Sequence, residues 1–200
     1  VIADMPFMSH GTPRQALDTA GRLMKEGGAQ MVKLEGGVSQ LKTVRRLTAL
    51  GIPVCGHLGL LPQSVHKLGG YRVQGRDALA ATSLREEALA LQQAGADLLV
   101  LECVPAALAA EITQTLAIPV IGIGAGPATD GQVLVLYDIL GMHANPPRFV
   151  ADFLRQGGNI RQALEAYVAA VREGRVRPAT AVPSMLSLRV VGRAAEGDSC

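Results

Sequence analysis

Residues 97–105 read DLLVLECVP, and this stretch decides the fold class. The apolar run Leu98–Leu101 is unbroken and ends in an acid, Glu102. A strand with one wet face alternates apolar and polar residues, whereas a continuous run is covered on both faces, as in a parallel sheet. Upstream, SLREEALALQQAGA (83–96) repeats apolar residues at spacings of three and four, and downstream PAALAAEITQTLA (105–117) does the same. Those spacings predict helices, so the unit is helix, strand, helix.

The unit repeats in both directions. Strand-like runs recur at VIAD (1–4), QMVKLEGG (30–37), IPVCGHLG (52–59), IPVIGIGAG (118–126) and, more weakly, GQVLVLYDIL (131–140). PRQALDTAGRLMKEGG (13–28) and SQLKTVRRLTALG (39–51) supply the helices between the first three. PRFVADFLRQG and NIRQALEAYVAAVREG, within 146–174, read as two closing helices. Strand alternating with helix leaves a doubly wound sheet or a (β/α)8 barrel. Chemically able residues end nearly every strand: Asp4, Lys33 with Glu35, His57, Glu102 and the GIGAG glycines. Convergence from many strand ends is how a barrel builds a site, whereas a doubly wound sheet concentrates its site at one switch point. The barrel is therefore the expected fold, although only six strands are visible and closure takes eight.

Composition narrows the class. The 200 residues are 48% hydrophobic, enough for one substantial core, and 19 Lys+Arg against 17 Asp+Glu give a net charge of +2 without long like-charge runs. Neither a nucleic-acid nor a membrane partner is expected. Three cysteines (Cys55, Cys103, Cys200) without metal-type spacing suit a reducing, cytosolic compartment. No apolar run reaches the roughly 18 residues of a membrane helix, and no signal peptide is visible. Residues 1–174 read as one catalytic domain and 175–200, with an apolar patch at SMLSLRVV, as a loosely ordered tail.

The candidate site residues each carry two readings. Lys33 and Glu35 are two apart in MVKLEGG, so on a strand they share a face, which in a barrel is the interior. Charge there is costly unless paired or ligand-bound, so they form a structural salt bridge or a binding pair. Glu102 is either a general base or the cap of the next helix. Asp4 either caps the turn before Pro6 or, with Glu35 from the adjacent strand, offers oxygens to a hard cation such as magnesium. His57 reads as a positioned hydrogen-bonding group, supporting the site or facing substrate. GIGAG cradles an anion or only permits a tight turn. The stretch HLGLLPQSVHKLGGYRVQGR (57–76) shows no clear helix and reads as a long binding loop, whose Lys67, Arg72 and Arg76 face an anion or simply solvent.

Taken together, ADMPFM (3–8), GAQMVKLEGG (28–37), IPVCGHLGLLPQSVHKLGGYRVQGR (52–76), LALQQAGADLLVLECVP (89–105) and AIPVIGIGAGPATDGQVLVLYDILG (117–141) resemble the ketopantoate hydroxymethyltransferase family in order and spacing, from Val1 to about Tyr167. The resemblance implies a (β/α)8 TIM barrel that binds magnesium and α-ketoisovalerate (3-methyl-2-oxobutanoate) and takes a one-carbon unit from methylenetetrahydrofolate, on the route to pantothenate. It implies Glu102 as proton acceptor, Asp4 and Glu35 at the metal, and Asp4, Lys33 and His57 at the substrate. It also implies a cytoplasmic homo-oligomer, often a decamer in the family. Family members carry two further strands and a Gly-Asp-Ser motif ahead of the point matching Val1. The expectation is that the chain holds strands 3 to 8 and, alone, with two unpaired edges, folds poorly and is inactive. The rival readings are a magnesium-dependent keto-acid barrel of the phosphoenolpyruvate mutase and isocitrate lyase type, a phosphate-binding barrel, and an inactive barrel fragment. The first uses a lid cysteine motif that is not found here. The second wants a further Gly-rich anion loop, which LVLYDILG does not supply.

Overall fold

The computed structural model describes residues 1–175, so the predicted tail lies outside the described residues apart from Arg175. Among the described residues there are six strands: β1 (Ile2–Asp4), β2 (Met31–Glu35), β3 (Val54–Gly59), β4 (Leu98–Glu102), β5 (Val120–Ile123) and β6 (Gly131–Gln132). They form one sheet in the order β1-β2-β3-β4-β5-β6, and every pair is parallel. Spatial order equals chain order. Without a reversal there is no switch point, which excludes the doubly wound alternative and leaves a half-barrel of six strands.

The crossovers are helical as expected: α1 (Pro13–Lys25), α2 (Leu41–Thr48), then, past the β3 loop, α3 (Val65–Leu68) and α4 (Ala78–Gln93), and α5 (Ala106–Thr115) after β4. Local chemistry sets their starts. Thr12 accepts from the Gln15 N–H ahead of α1, with Pro13 at the first turn, and Asp77 accepts from the Ala80 N–H ahead of α4. That aspartate starts α4 five residues before the helix read from SLREEALALQQAGA. The loop after β3 also differs from expectation, because a 3-10 turn at Pro62–Ser64 runs into α3, which Gly69 ends at φ 70°.

Strand parity divides the sheet into two faces. One carries Met5, Val32, Leu34, Val54, Leu58, Leu99, Leu101 and Val120, all essentially fully buried against the apolar sides of α1, α2, α4 and α5. This is the main core. The other face carries Asp4, Lys33, Glu35, His57 and Glu102. At the opposite, N-terminal end of the sheet, acids do structural work. Asp97 accepts from the Val54 N–H at 2.9 Å and Asp130 from the Val120 N–H at 2.8 Å.

GQVLVLYDIL does not form the strand expected of it. Only Gly131–Gln132 pair with β5, and Leu136–Ile139 form a short helix, α6. Its apolar residues suit either period, and tertiary packing decides: Ile139 and Leu140 bury against α7 (Phe153–Gly157) and α8 (Ile160–Arg172), while Val133 and Val135 stay exposed. These are the two closing helices anticipated. The Tyr167 hydroxyl ties α8 to the sheet by donating to the Gln132 carbonyl at 3.1 Å, and the Tyr167 ring meets Phe153 edge-on at 5.6 Å.

Candidate active site

Four neighbouring strands bring five ionisable side chains to one end of one face. Asp4 lies opposite Lys33 in the β1–β2 register, Glu35 opposite His57 in β2–β3, and Glu102 ends β4 opposite Gly59. Lys33 Nζ is 2.5 Å from Asp4 Oδ1 and 3.3 Å from His57 Nδ1. His57 Nδ1 is 4.0 Å from Glu35 Oε1, and its Nε2 is 3.1 Å from Glu102 Oε2. All five residues that the sequence singled out are therefore in one network. The salt bridge at the mouth exists, but Lys33 makes it with Asp4 across strands rather than with its neighbour Glu35.

His57 sits at the centre, its side chain 3% exposed. A lysine only donates, so in the Lys33 contact Nδ1 of His57 is placed to accept, which suits the tautomer that carries its ring hydrogen on Nε2, on the Glu102 side. Nε2 lies 3.1 Å from Glu102 Oε2 but is not aligned as a hydrogen bond. Burial pushes the Glu35 carboxyl above the usual carboxylate range; the Gln63 N–H, His57 and Lys33 pull the other way, and Glu102 adds to the upward push. Asp4, by contrast, is 63% exposed and faces solvent at the rim.

Glu102 does not cap a helix. The cap position of α5 is Pro105, with no side-chain cap bond. The backbone of Glu102 and Cys103 is held by three hydrogen bonds instead: the Leu60 N–H donates to the Glu102 carbonyl at 2.8 Å, the Cys103 N–H donates to the Ile123 carbonyl at 2.9 Å, and the Cys103 carbonyl accepts from the Gln74 N–H at 2.8 Å. Cys103 itself takes φ 48°, a strained conformation for a side-chain-bearing residue, immediately after the acid. Gly59 makes room for this, since a Cβ there would stand 2.2 Å from the Glu102 carbonyl oxygen.

The two buried thiols are chemically quiet. Burial pushes both Cys55 and Cys103 up to about 12, so neither is a thiolate near neutral pH. The GIGAG glycines have a structural reason to be there: Gly124 and Gly126 adopt φ 61° and 84° in the turn after β5. Lys67, Arg72 and Arg76 are exposed.

Among the described residues no cluster of three or more His, Cys, Asp or Glu is arranged to hold a metal. A magnesium ion needs fewer protein ligands than that, commonly one or two carboxylates. Asp4 at the rim and Glu35 beneath it are hard oxygen donors, the set used by a magnesium ion that completes its shell with water and substrate. Glu35 Oε2 is already fixed by the Gln63 N–H at 3.0 Å, which leaves Oε1 turned toward the network. Nothing in the sequence singles out Gln63, because the contact is made by a backbone group that every non-proline residue carries.

A sequence model of ketopantoate hydroxymethyltransferase matches residues 1–178. The chain belongs to the ketopantoate hydroxymethyltransferase family. Among members of this family, the 3-methyl-2-oxobutanoate hydroxymethyltransferase of Halorhodospira halophila is 63% identical over 174 residues, covering 87% of this chain and 63% of that protein. The enzyme of the same name from Nitrosococcus oceani is 60% identical over 174 residues, covering 86% of this chain and 66% of its own. The chain thus spans just under two thirds of the length of these ketopantoate hydroxymethyltransferases. Among solved structures, a putative lyase/mutase from Burkholderia cenocepacia J2315 is similar at 21% identity and a TM-score of 0.46, covering 88% of this chain and 61% of that one. No helix among the described residues is long and apolar enough to cross a membrane.

Proposed function

We propose that the protein transfers a hydroxymethyl group from methylenetetrahydrofolate to 3-methyl-2-oxobutanoate, giving ketopantoate for pantothenate and coenzyme A synthesis. The observation that carries this reading is the convergence of Asp4, Lys33, Glu35, His57 and Glu102 at the C-terminal ends of β1 to β4, in a chain about 60% identical to enzymes of that name.

In this reading the Lys33 ammonium, with one donor toward Asp4 and one toward His57, has its third for the substrate carboxylate. A magnesium ion held by Asp4 and Glu35 would supply Lewis-acid stabilisation of the charge that develops on the keto acid's oxygens. Glu102 takes the proton from C3 of the substrate, and the electron pair of that C–H bond becomes the enolate. Lys33 meets the carboxylate, whose charge is present from the ground state onward, so its part is to bind and orient the keto acid. His57, held through Nδ1 by Lys33, stands with Nε2 3.1 Å from Glu102 Oε2, beside the base. Both C–N bonds that hold the methylene carbon in the folate break: the enolate carbon replaces one nitrogen and the oxygen of water replaces the other, giving CH2OH, while the proton taken by Glu102 and the remaining proton of the water pass, through solvent, to the two freed folate nitrogens. Cys55 and Cys103 take no part, since both thiols stay neutral.

The same reading makes the protein a cytoplasmic homo-oligomer. Exposed apolar side chains such as Leu79, Tyr137 and Met142 supply surface for it, and sedimentation would measure the state. The decisive experiment follows loss of deuterium from C3-labelled 3-methyl-2-oxobutanoate by NMR, using the full product of the gene with magnesium and comparing wild type with Glu102→Gln. A loss of about 10²- to 10⁴-fold in exchange is expected for removing a general base. Exchange at the wild-type rate would remove Glu102 from that role.

A further inference from the structure

Gln63 lies in the loop after β3, outside the network of charges, yet it touches the ends of both strands that carry the acids. Its backbone N–H donates to Glu35 Oε2 at 3.0 Å, and its side-chain Nε2 donates to the carbonyl of Met5, the residue after Asp4, at 2.9 Å. One residue therefore spans β1, β2 and the loop. The turn that holds it is stiff, with Pro62 at its first position and the Ser64 N–H bonded to the Leu61 carbonyl at 2.8 Å. The Met5 side chain is fully buried in the main core, so the carbonyl that Gln63 grips belongs to a residue packed into that core directly after β1.

We infer that Gln63 is a positioning residue: its side-chain amide anchors the loop to β1 so that its backbone N–H fixes the rotation of the Glu35 carboxylate and the spacing between Glu35 and Asp4. Holding Oε2 commits one oxygen of Glu35 to the loop and turns Oε1 toward His57 and the centre of the site. Outer contacts of this kind orient a ligating carboxylate and tune what it binds. With the anchor gone the N–H remains in the chain, but nothing on the Met5 side holds it in place, and the carboxylate is free to rotate. The inference rests on the proposed function for what the two acids bind.

Two substitutions separate a hydrogen-bonding anchor from simple space filling. Gln63→Ala removes the donor and the bulk. Gln63→Glu keeps the size and shape but sets an acceptor against the Met5 carbonyl and a negative charge near Glu35. The test uses the full product of the gene, with manganese(II) as the probe. Its binding is read directly from the electron spin resonance signal of the free ion, per mole of folded protein by circular dichroism. C3 deuterium exchange is then measured against magnesium concentration. Gln63→Ala should bind manganese about tenfold more weakly than wild type. Its exchange rate at saturating magnesium should stay within about threefold of wild type, because the proton acceptor is untouched. Gln63→Glu should bind more weakly still. Equal or tighter binding by Gln63→Glu than by Gln63→Ala, or wild-type affinity in both, overturns the inference and leaves the enzymatic reading standing. A wild-type protein that neither binds manganese nor exchanges the C3 deuteron overturns both.

Discussion

Replacing Gly59 by alanine should damage fold and chemistry together, and the size of the damage follows from the close approach of the paired ends of β3 and β4. Gly59 ends β3 at φ 90°, and an ideal Cβ on it would lie 2.2 Å from the Glu102 carbonyl oxygen and 2.8 Å from Val104 Cγ1. Carbon and oxygen rest no closer than about 3.3 Å even in weak C–H···O contacts, so the two strand ends must part by about 1 Å. The positive φ costs an alanine roughly 1–2 kcal/mol, and overpacking of a tight site costs about 1–3 kcal/mol. Together these predict a loss of about 2–5 kcal/mol, a large fraction of the about 5–15 kcal/mol that holds a typical domain. The displaced atom is the one that accepts from the Leu60 N–H at 2.8 Å and sets where Glu102 points. A misplacement of about 1 Å costs on the order of 100-fold in rate. Urea unfolding followed by circular dichroism reads the first effect, and C3 deuterium exchange on the folded fraction reads the second. Stability within about 0.5 kcal/mol of wild type, with unchanged exchange, would refute the reasoning at both levels. Lost stability with unchanged exchange would show that the strand yields without moving the acid.

Gly21, inside α1, should respond with the opposite sign. Its Cβ would meet only the Lys25 Cε at 4.0 Å, so Gly21→Ala should stabilise by roughly 0.5–1 kcal/mol in the same urea assay, and a loss would contradict it. Lys33→Met should raise KM for the keto acid by roughly 10- to 100-fold, the worth of hydrogen bonds to a charged group, and an unchanged KM would exclude Lys33 as the carboxylate contact. Glu35 should make stability depend on pH when divalent ions are chelated. Burial holds its carboxyl above the ordinary 4.5, so the native state binds this proton more tightly than the unfolded chain does. That contribution is fully present below pH 4.5 and is lost as pH rises through the native value, with a slope no steeper than about 1.4 kcal/mol per pH unit. Glu35→Gln should flatten this part of the profile in urea titrations at a series of pH values, and an identical slope would rule out Glu35 as its source.

The features legible in the sequence are those that depend on one strand at a time. A side-chain period of two places Lys33 and Glu35 on one face without knowledge of any partner, and the unbroken run Leu98–Leu101 shows that β4 is covered on both sides. Which charge meets which is a property of register between strands. Asp4 stands opposite Lys33 because Ile2 pairs with Met31, and nothing within MVKLEGG specifies that offset. Register also separates the acids by task. Glu102 and Asp97 both flank β4, but only the end of the strand tells a site acid from one that satisfies the Val54 N–H. Short elements escape for a different reason. The four residues of α3 complete barely one turn, too few for a helical period to show, and Leu136–Ile139 satisfy either period until α7 and α8 are in place. Gln63 is the extreme case. Its contact to Glu35 uses a group common to every residue except proline, so no pattern of side chains can announce it, and only the path of the loop brings it within 3.0 Å.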